Sequence, residues 1–279
     1  MNTTEAKLAA LRAALTTAPE YAEIIPFFIA IQEYLQGREL ETGITATVAA
    51  SPKERNQSGL PLLSPTELQV DRQQARQFLA GLVAVIKANS REPVDGMDKL
   101  AAALAADQLD PAPLFRAILE RQRPPLDEAA ARLEVPSPLI EFLCEIPLRT
   151  MLELFAKPFG AGDVDGWQEG FCPICGSRAG MAELAGDEGK RYLACSACSF
   201  KWPFSRLQCP YCGCEEPDKL SYFTVDDGPV RVDTCKGCSR YIKTRDSRKG
   251  DAAVPLEVSD ALTMHLDLMA SREGFERGK

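Results

Sequence analysis

Histidine is almost missing from this chain: His265 is the only one among 279 residues. A single imidazole rules out the histidine-rich ligand sets of catalytic metal sites, and no stretch reads as a nucleophile elbow or a phosphate loop. Lying far from the cysteines on a helical stretch, His265 reads as a surface or packing residue. Apolar runs of membrane-spanning length are also absent. The opening Met1-Asn2-Thr3-Thr4-Glu5-Ala6-Lys7 leads straight into an amphipathic helix rather than a secretory leader. These absences predict a cytoplasmic protein with no membrane span and no assembled catalytic set, hence not an enzyme.

What the chain has instead is cysteine. Eight of its ten cysteines form four C-x-x-C pairs: Cys172/Cys175, Cys195/Cys198, Cys209/Cys212 and Cys235/Cys238. Two pairs read Cys-Pro-x-Cys-Gly, and the glycine lets the turn aim its N–H groups at the sulfurs. A reducing cytoplasm argues against disulfides and for metal ligation. Two such turns supply four thiolates, the tetrahedral shell that suits zinc or mononuclear iron. Four turns imply two metal ions, iron or zinc, each held by four cysteines. Such closed shells are structural or redox-active rather than hydrolytic.

Spacing sets the pairing. Nineteen residues separate Cys175 from Cys195 and twenty-two separate Cys212 from Cys235, while only ten lie between Cys198 and Cys209. Sequential pairing into two tandem ribbons fits this rhythm; the rival is an interleaved cross-brace joining the first pair to the third and the second to the fourth. Cys214 reads as a spare thiol beside a knuckle, and Cys144 as a buried small apolar residue.

Helical periodicity fills the N-terminal part: Thr4–Leu15, Tyr21–Leu35, a long helix launched by the capping box Ser64-Pro65-Thr66-Glu67, then Asp98–Ala106, Pro113–Arg121, Asp127–Leu133 and Leu139–Phe155. Residues 41–60 read as a long mobile loop, and Phe159–Gly166 as a flexible linker. Strand alternation appears at Arg191–Ala194, Leu220–Val225 and Val230–Asp233, and a closing helix at Leu256–Phe275. The expected organisation is α+β: an all-helical domain over 1–166, a double C-x-x-C domain over 167–250 with rubredoxin- or zinc-ribbon-like halves at about 167–205 and 206–250, and a C-terminal helix over 251–279.

The net charge is −8, yet the span from Cys172 to Gly250 carries 13 basic and 10 acidic residues. A nucleic-acid-binding ribbon would use the run Arg240, Lys243, Arg245, Arg248, Lys249, but so slight a local excess in an acidic chain makes nucleic acid an unlikely partner. The run reads as a solvated edge. Trp202 is either core beneath the first ribbon or an exposed docking anchor.

The run Arg191-Tyr192-Leu193-x-Cys195-x-x-Cys198, Trp202, Arg206, Cys209-x-x-Cys212, Cys235-x-x-Cys238 and Tyr241-x-Lys243 resembles the FdhE family of formate dehydrogenase accessory proteins. So does the closing Ser259-Asp260-Ala261-Leu262-x-x-x-Leu266-Asp267-Leu268-x-Ala270 with Gly274-Phe275-x-Arg277. Lys201-Trp202-Pro203 departs from the Glu-Trp-His of the family, and Cys214 is additional. The resemblance implies a cytoplasmic maturation factor that binds metal through its cysteine pairs and binds the catalytic subunit of formate dehydrogenase. The alternatives are a rubredoxin-like electron-transfer protein and a nucleic-acid-binding zinc ribbon. Arg191, Trp202 and Arg206 are the candidate partner-binding residues.

Overall fold

The computed structural model describes residues 3–47, 52–92, 94–225, 227–249 and 252–278. The chain divides into two units, Met1–Ala49 with Leu63–Phe155, and Ala50–Leu62 with Ala156–Lys279.

In the first unit, α1 (Thr3–Thr17) buries Leu8 and Leu11 against α2 (Ile25–Leu35), which opens on Pro26. The long helix Arg72–Asn89 also packs on α2, where Tyr34 donates its hydroxyl to the Phe78 carbonyl at 2.8 Å. Lys7 is pulled into the interior by Glu153, 2.5 Å away.

Two details depart from the periodicity. Residues 41–60 are not one loop: they hold β1 (Ile44–Ala46) and α3 (Pro52–Gln57), the latter in the second unit, while residues 48–51 lie outside the described residues. The capping box at Ser64 does form, with Glu67 Oε2 accepting the Ser64 N–H at 2.6 Å. It closes only a 3-10 turn, however, because Leu68-Gln69-Val70 then extends as β2 (Leu68–Val70), antiparallel to β1. The long helix, α4 (Arg72–Asn89), starts after this strand, with Asp71 accepting the Gln74 N–H as its cap. Helices α5 (Met97–Ala105), α6 (Pro111–Glu120), α7 (Pro124–Leu133) and α8 (Ser137–Ala156) come next. On their apolar stripes Leu100, Phe115, Leu126 and Ile140 are at most 2% exposed. Cys144 on α8 is buried, and burial pushes its thiol up to about 12, so it is an inert filler as expected.

In the second unit the predicted flexible linker contains a 3-10 turn, Ala161–Val164, with Val164 buried. One ribbon is β3 (Ala179–Ala185), β4 (Lys190–Cys195) and β5 (Lys201–Pro203); the other is β6 (Leu220–Thr224), β7 (Val230–Cys235) and β8 (Arg240–Asp246). They are not separate modules. Strand β3 pairs in parallel with β8, Met181 opposite Lys243 through Leu184 opposite Asp246, giving one sheet in the order β5-β4-β3-β8-β7-β6. A final short strand, β9 (Glu276–Arg277), also runs parallel to β8. The predicted closing helix is two helices, α9 (Leu256–Ala261) and α10 (Met264–Arg272), which cover Met181, Val230, Val232 and Tyr241 with Leu256, Leu266 and Ala270.

The basic run is a solvated edge only at its end, where Arg248 and Lys249 are exposed; its middle is interior. β8 is an inner strand, and Lys243 and Arg245 on it are 1% and 3% exposed. Buried cations need partners. Lys243 Nζ lies 2.7 Å from both Asp260 and Asp267, and it also donates to the carbonyls of Asp260 and Thr263 where α9 breaks from α10. Arg277 completes the group, 2.6 Å from Asp260 and 3.3 Å from Asp267.

Arg245 holds Glu183 at 2.6 Å. Burial pushes Glu183 up, but hydrogen bonds from Lys201, Ser247 and Arg245 outweigh it and bring the carboxyl from the ordinary 4.5 down to about 2. A lowered folded-state value means that Glu183 contributes stability above pH 4.5 and loses it as pH falls toward 2. Acid titration of unfolding should therefore show a shallower slope over that window in a Glu183→Gln variant; an unchanged slope would contradict this role.

Candidate metal centres

Each C-x-x-C pair sits in a knuckle closed by its own main chain. The N–H of Cys172 donates to the Ser177 carbonyl at 2.8 Å, that of Cys195 to Phe200 at 2.9 Å, and that of Cys209 to Cys214 at 2.9 Å. The residue after the second cysteine is left-handed in all four: Gly176 (φ 75°), Ser199 (60°), Gly213 (72°) and Ser239 (54°). Glycine adopts that conformation freely, which explains the two Cys-Pro-x-Cys-Gly knuckles. The turn directs N–H groups at sulfur, as with Ile174 to Cys172 at 3.4 Å and Ala197 to Cys195 at 3.3 Å.

The knuckles bring the eight sulfurs together in two groups of four, first pair with second and third with fourth, the sulfurs of each group within 4.8 Å of one another. Among the described residues no carboxylate or imidazole joins either group. Cys172–Cys198 and Cys175–Cys195 sulfurs are 3.5 and 3.4 Å apart; Cys209–Cys238 and Cys212–Cys235 are 3.8 and 3.7 Å apart. Four sulfurs at ~2.3 Å from one ion form a tetrahedron with edges of about 3.8 Å. The donor set and its spacing fit a single tetrathiolate-bound ion in each group, and all ten cysteines are free of disulfides.

The groups differ in exposure. Every cysteine of the first is buried, whereas Cys212 of the second is exposed and Cys238 half-buried. In the first, burial pushes Cys172 and Cys198 well up, while hydrogen bonds from Cys172, Cys195 and Cys198 hold Cys175 well below its ordinary value. A metal cation held at the centre would supply the charge that allows all four thiols to ionise. In the second, burial pushes Cys209, Cys235 and Cys238 to about 11. Slight burial of Cys212 is outweighed by the Cys214 N–H and the surrounding thiols, and its value falls.

Cys214 therefore works through its backbone: its carbonyl closes the knuckle as that of Ser177 does in the first, and its N–H faces Cys212. Its own sulfur stays outside the group of four. Cys214→Ser should leave the metal content, measured by elemental analysis, unchanged; loss of one equivalent would make Cys214 a ligand. His265 is exposed on α10, outside both groups.

The three candidate partner residues separate. Trp202 is 0% exposed and donates its indole N–H to the Glu169 carbonyl at 3.1 Å, so it is core beneath the first ribbon and presents no docking surface. Arg191 is buried, donating to the carbonyls of Ser205 at 3.2 Å and Gln208 at 2.9 Å. With the exposed Arg206 it lines a cavity of about 270 Å³ that also touches Cys209 and Cys235. Arg231, Arg240 and Tyr222 share that wall. Sequence reasoning missed them because their convergence depends on the pairing of β6, β7 and β8.

Comparison with known proteins agrees with this arrangement. Residues 171–206 match the family model "FdhE, central domain" and residues 207–279 match "FdhE, C-terminal domain". The FdhE homologue of Aquifex aeolicus is 38% identical over 113 residues, 39% of this chain and 40% of that one. FdhE of Escherichia coli O9:H4 is 31% identical over 116 residues, 40% of this chain and 37% of that one. The chain thus spans about two-fifths of the length of the curated relatives it matches. The crystal structure of FdhE from Pseudomonas aeruginosa, 18% identical, superposes with a TM-score of 0.68 over 98% of this chain and 93% of that one, so the fold is shared. Over residues 171–279 the chain is thus similar to the central and C-terminal domains of FdhE, and over nearly its whole length it shares the fold of an FdhE crystal structure.

Proposed function

We propose that this protein is a metal-binding accessory factor for the maturation of formate dehydrogenase, and that it acts in the cytoplasm by binding the catalytic subunit of that enzyme. The observation that carries the reading is the FdhE central and C-terminal domain pair with its eight thiols gathered into two groups of four. Under this reading Cys172, Cys175, Cys195 and Cys198 hold one ion, and Cys209, Cys212, Cys235 and Cys238 hold the other. The ions stabilise the knuckles at the ends of the two ribbon hairpins. Zinc and iron both suit such a shell. A closed shell of four thiolates has no position for substrate, which favours a non-enzymatic role. Burial and pairing of Lys243 and Arg245 take them away from any phosphate-contacting surface, which counts against nucleic acid.

Exposure of Cys212 favours one second reading, electron transfer of the rubredoxin type through the second ion. Redox-inert zinc in the isolated protein would remove it. The maturation reading is tested in a strain lacking this protein. Formate dehydrogenase activity should be lost while its polypeptide accumulates to a similar level; normal activity with the enzyme expressed would defeat the reading.

A further inference from the structure

The two edges of the second unit's sheet are built differently. Strand β5 at one end is three residues long and carries Lys201 and Pro203, devices that discourage pairing with another chain. Strand β6 at the other end is five residues, Leu220-Ser221-Tyr222-Phe223-Thr224, with no charge, no proline and an unbroken register against β7. Among the described residues β6 pairs with β7 alone. The Lys236 N–H donates to the Lys219 carbonyl, which fixes the alternation along the pair. Leu220, Tyr222 and Thr224 then fall at the positions that do not bond to β7, and their main-chain groups face outward. This edge is ready to take another strand.

The surroundings say what kind of strand. Tyr222 and Leu207 are 62% and 69% exposed, and both border the cavity beside Cys209 and Cys235. Four arginines, Arg191, Arg206, Arg231 and Arg240, line that cavity against one carboxylate, Asp233. The Arg231 guanidinium lies 4.4 Å from the centre of the Tyr222 ring, so the edge strand and the charged wall are one surface. Arginine forks match carboxylates in planar, two-point fashion. A second copy paired edge to edge would set one arginine wall against another, so the complementary occupant is a different, acidic protein.

We infer that β6 and the arginine-lined cavity form a docking site for an extended acidic segment of a partner protein, added to the sheet as a further strand with a carboxylate in the cavity. This rests on the accessory reading only for the identity of the partner, the formate dehydrogenase catalytic subunit.

The test uses the intact metal-loaded protein and a fluorescent peptide of about ten residues alternating valine and glutamate, beside its valine–glutamine counterpart. The acidic peptide should bind roughly tenfold or more tightly than the amide version. Arg206→Glu and, separately, Tyr222→Pro, which removes an outward N–H, should each abolish that difference while retaining both metal equivalents. Equal binding of the two peptides, no binding of either, or full binding by the Arg206 variant would overturn the site. So would a dimer of the wild type that Tyr222→Pro dissolves, since the edge would then belong to a second copy. Co-expressed catalytic subunit separates the two claims. Equal capture by wild type and both variants overturns the docking site and leaves the accessory reading intact. No capture by the wild type overturns the accessory reading, and the peptide result alone then decides the site.

Discussion

Replacing Cys172 and Cys175 together by serine should leave one metal equivalent of two and open the first ribbon to proteases, while the helices of the first unit stay folded. These cysteines supply half of a fully buried group of four sulfurs. Hydroxyls at those positions are poor ligands for zinc or iron in a site made for thiolates. A structural tetrathiolate site is worth ~10–16 kcal/mol, as much as the whole stability of a typical domain. Its loss should unravel the hairpin of β3 and β4 and uncover Trp202. Because β3 lies beside β8, fraying should extend to that strand, but the sulfurs of the second group remain in place. Elemental analysis with mapping of tryptic cuts checks this. Two retained equivalents would remove Cys172 and Cys175 from the ligand set, and loss of both would mean that the two sites share ligands.

Lys243→Met carries the next largest effect. The side chain is fully buried and forms a neutral group with Arg277, Asp260 and Asp267. Removing one member of a buried ion cluster leaves an uncompensated charge and costs about 3–5 kcal/mol. The change also removes one of the donors to the Asp260 and Thr263 carbonyls at the break between α9 and α10. Denaturant unfolding should show that loss with both metals retained. Adding Asp267→Asn restores neutrality and should recover part of the stability. If Lys243→Met alone shifts the midpoint by less than ~1 kcal/mol equivalent, the cluster is not holding the C-terminal helices.

Legibility in the sequence tracked the range of the interactions. The knuckles are local: two cysteines three apart and a left-handed residue after them suffice, so all eight thiols and their grouping were readable from spacing. Capping at Ser64 was readable too, but the strand immediately beyond it was not. Leu68-Gln69-Val70 has helical apolar spacing with Phe78 and Leu82, and only β1, more than twenty residues earlier, makes it a strand.

The basic run 240–249 shows the same limit more sharply. Lys243 and Arg245 alternate with Ile242 and Thr244, which as an isolated pattern reads as one wet face. Their counter-charges, Glu183, Asp260 and Asp267, lie up to 62 residues away in sequence, brought in by the parallel pairing of β3 with β8 and by the C-terminal helices. The same parallel pairing, invisible to spacing, fused the two expected ribbons into one sheet. Trp202 was ambiguous because an aromatic beside a lysine and a proline suits either a core or an anchor, and only its pairing opposite Leu193 put it inside.

X-ray absorption at the metal edge, on protein purified without oxygen, tests the central claim most directly. Two metal equivalents per chain, each with four sulfur neighbours at ~2.3 Å and no nitrogen or oxygen scatterer, is the predicted result. A single equivalent, or a shell containing nitrogen or oxygen, would contradict it.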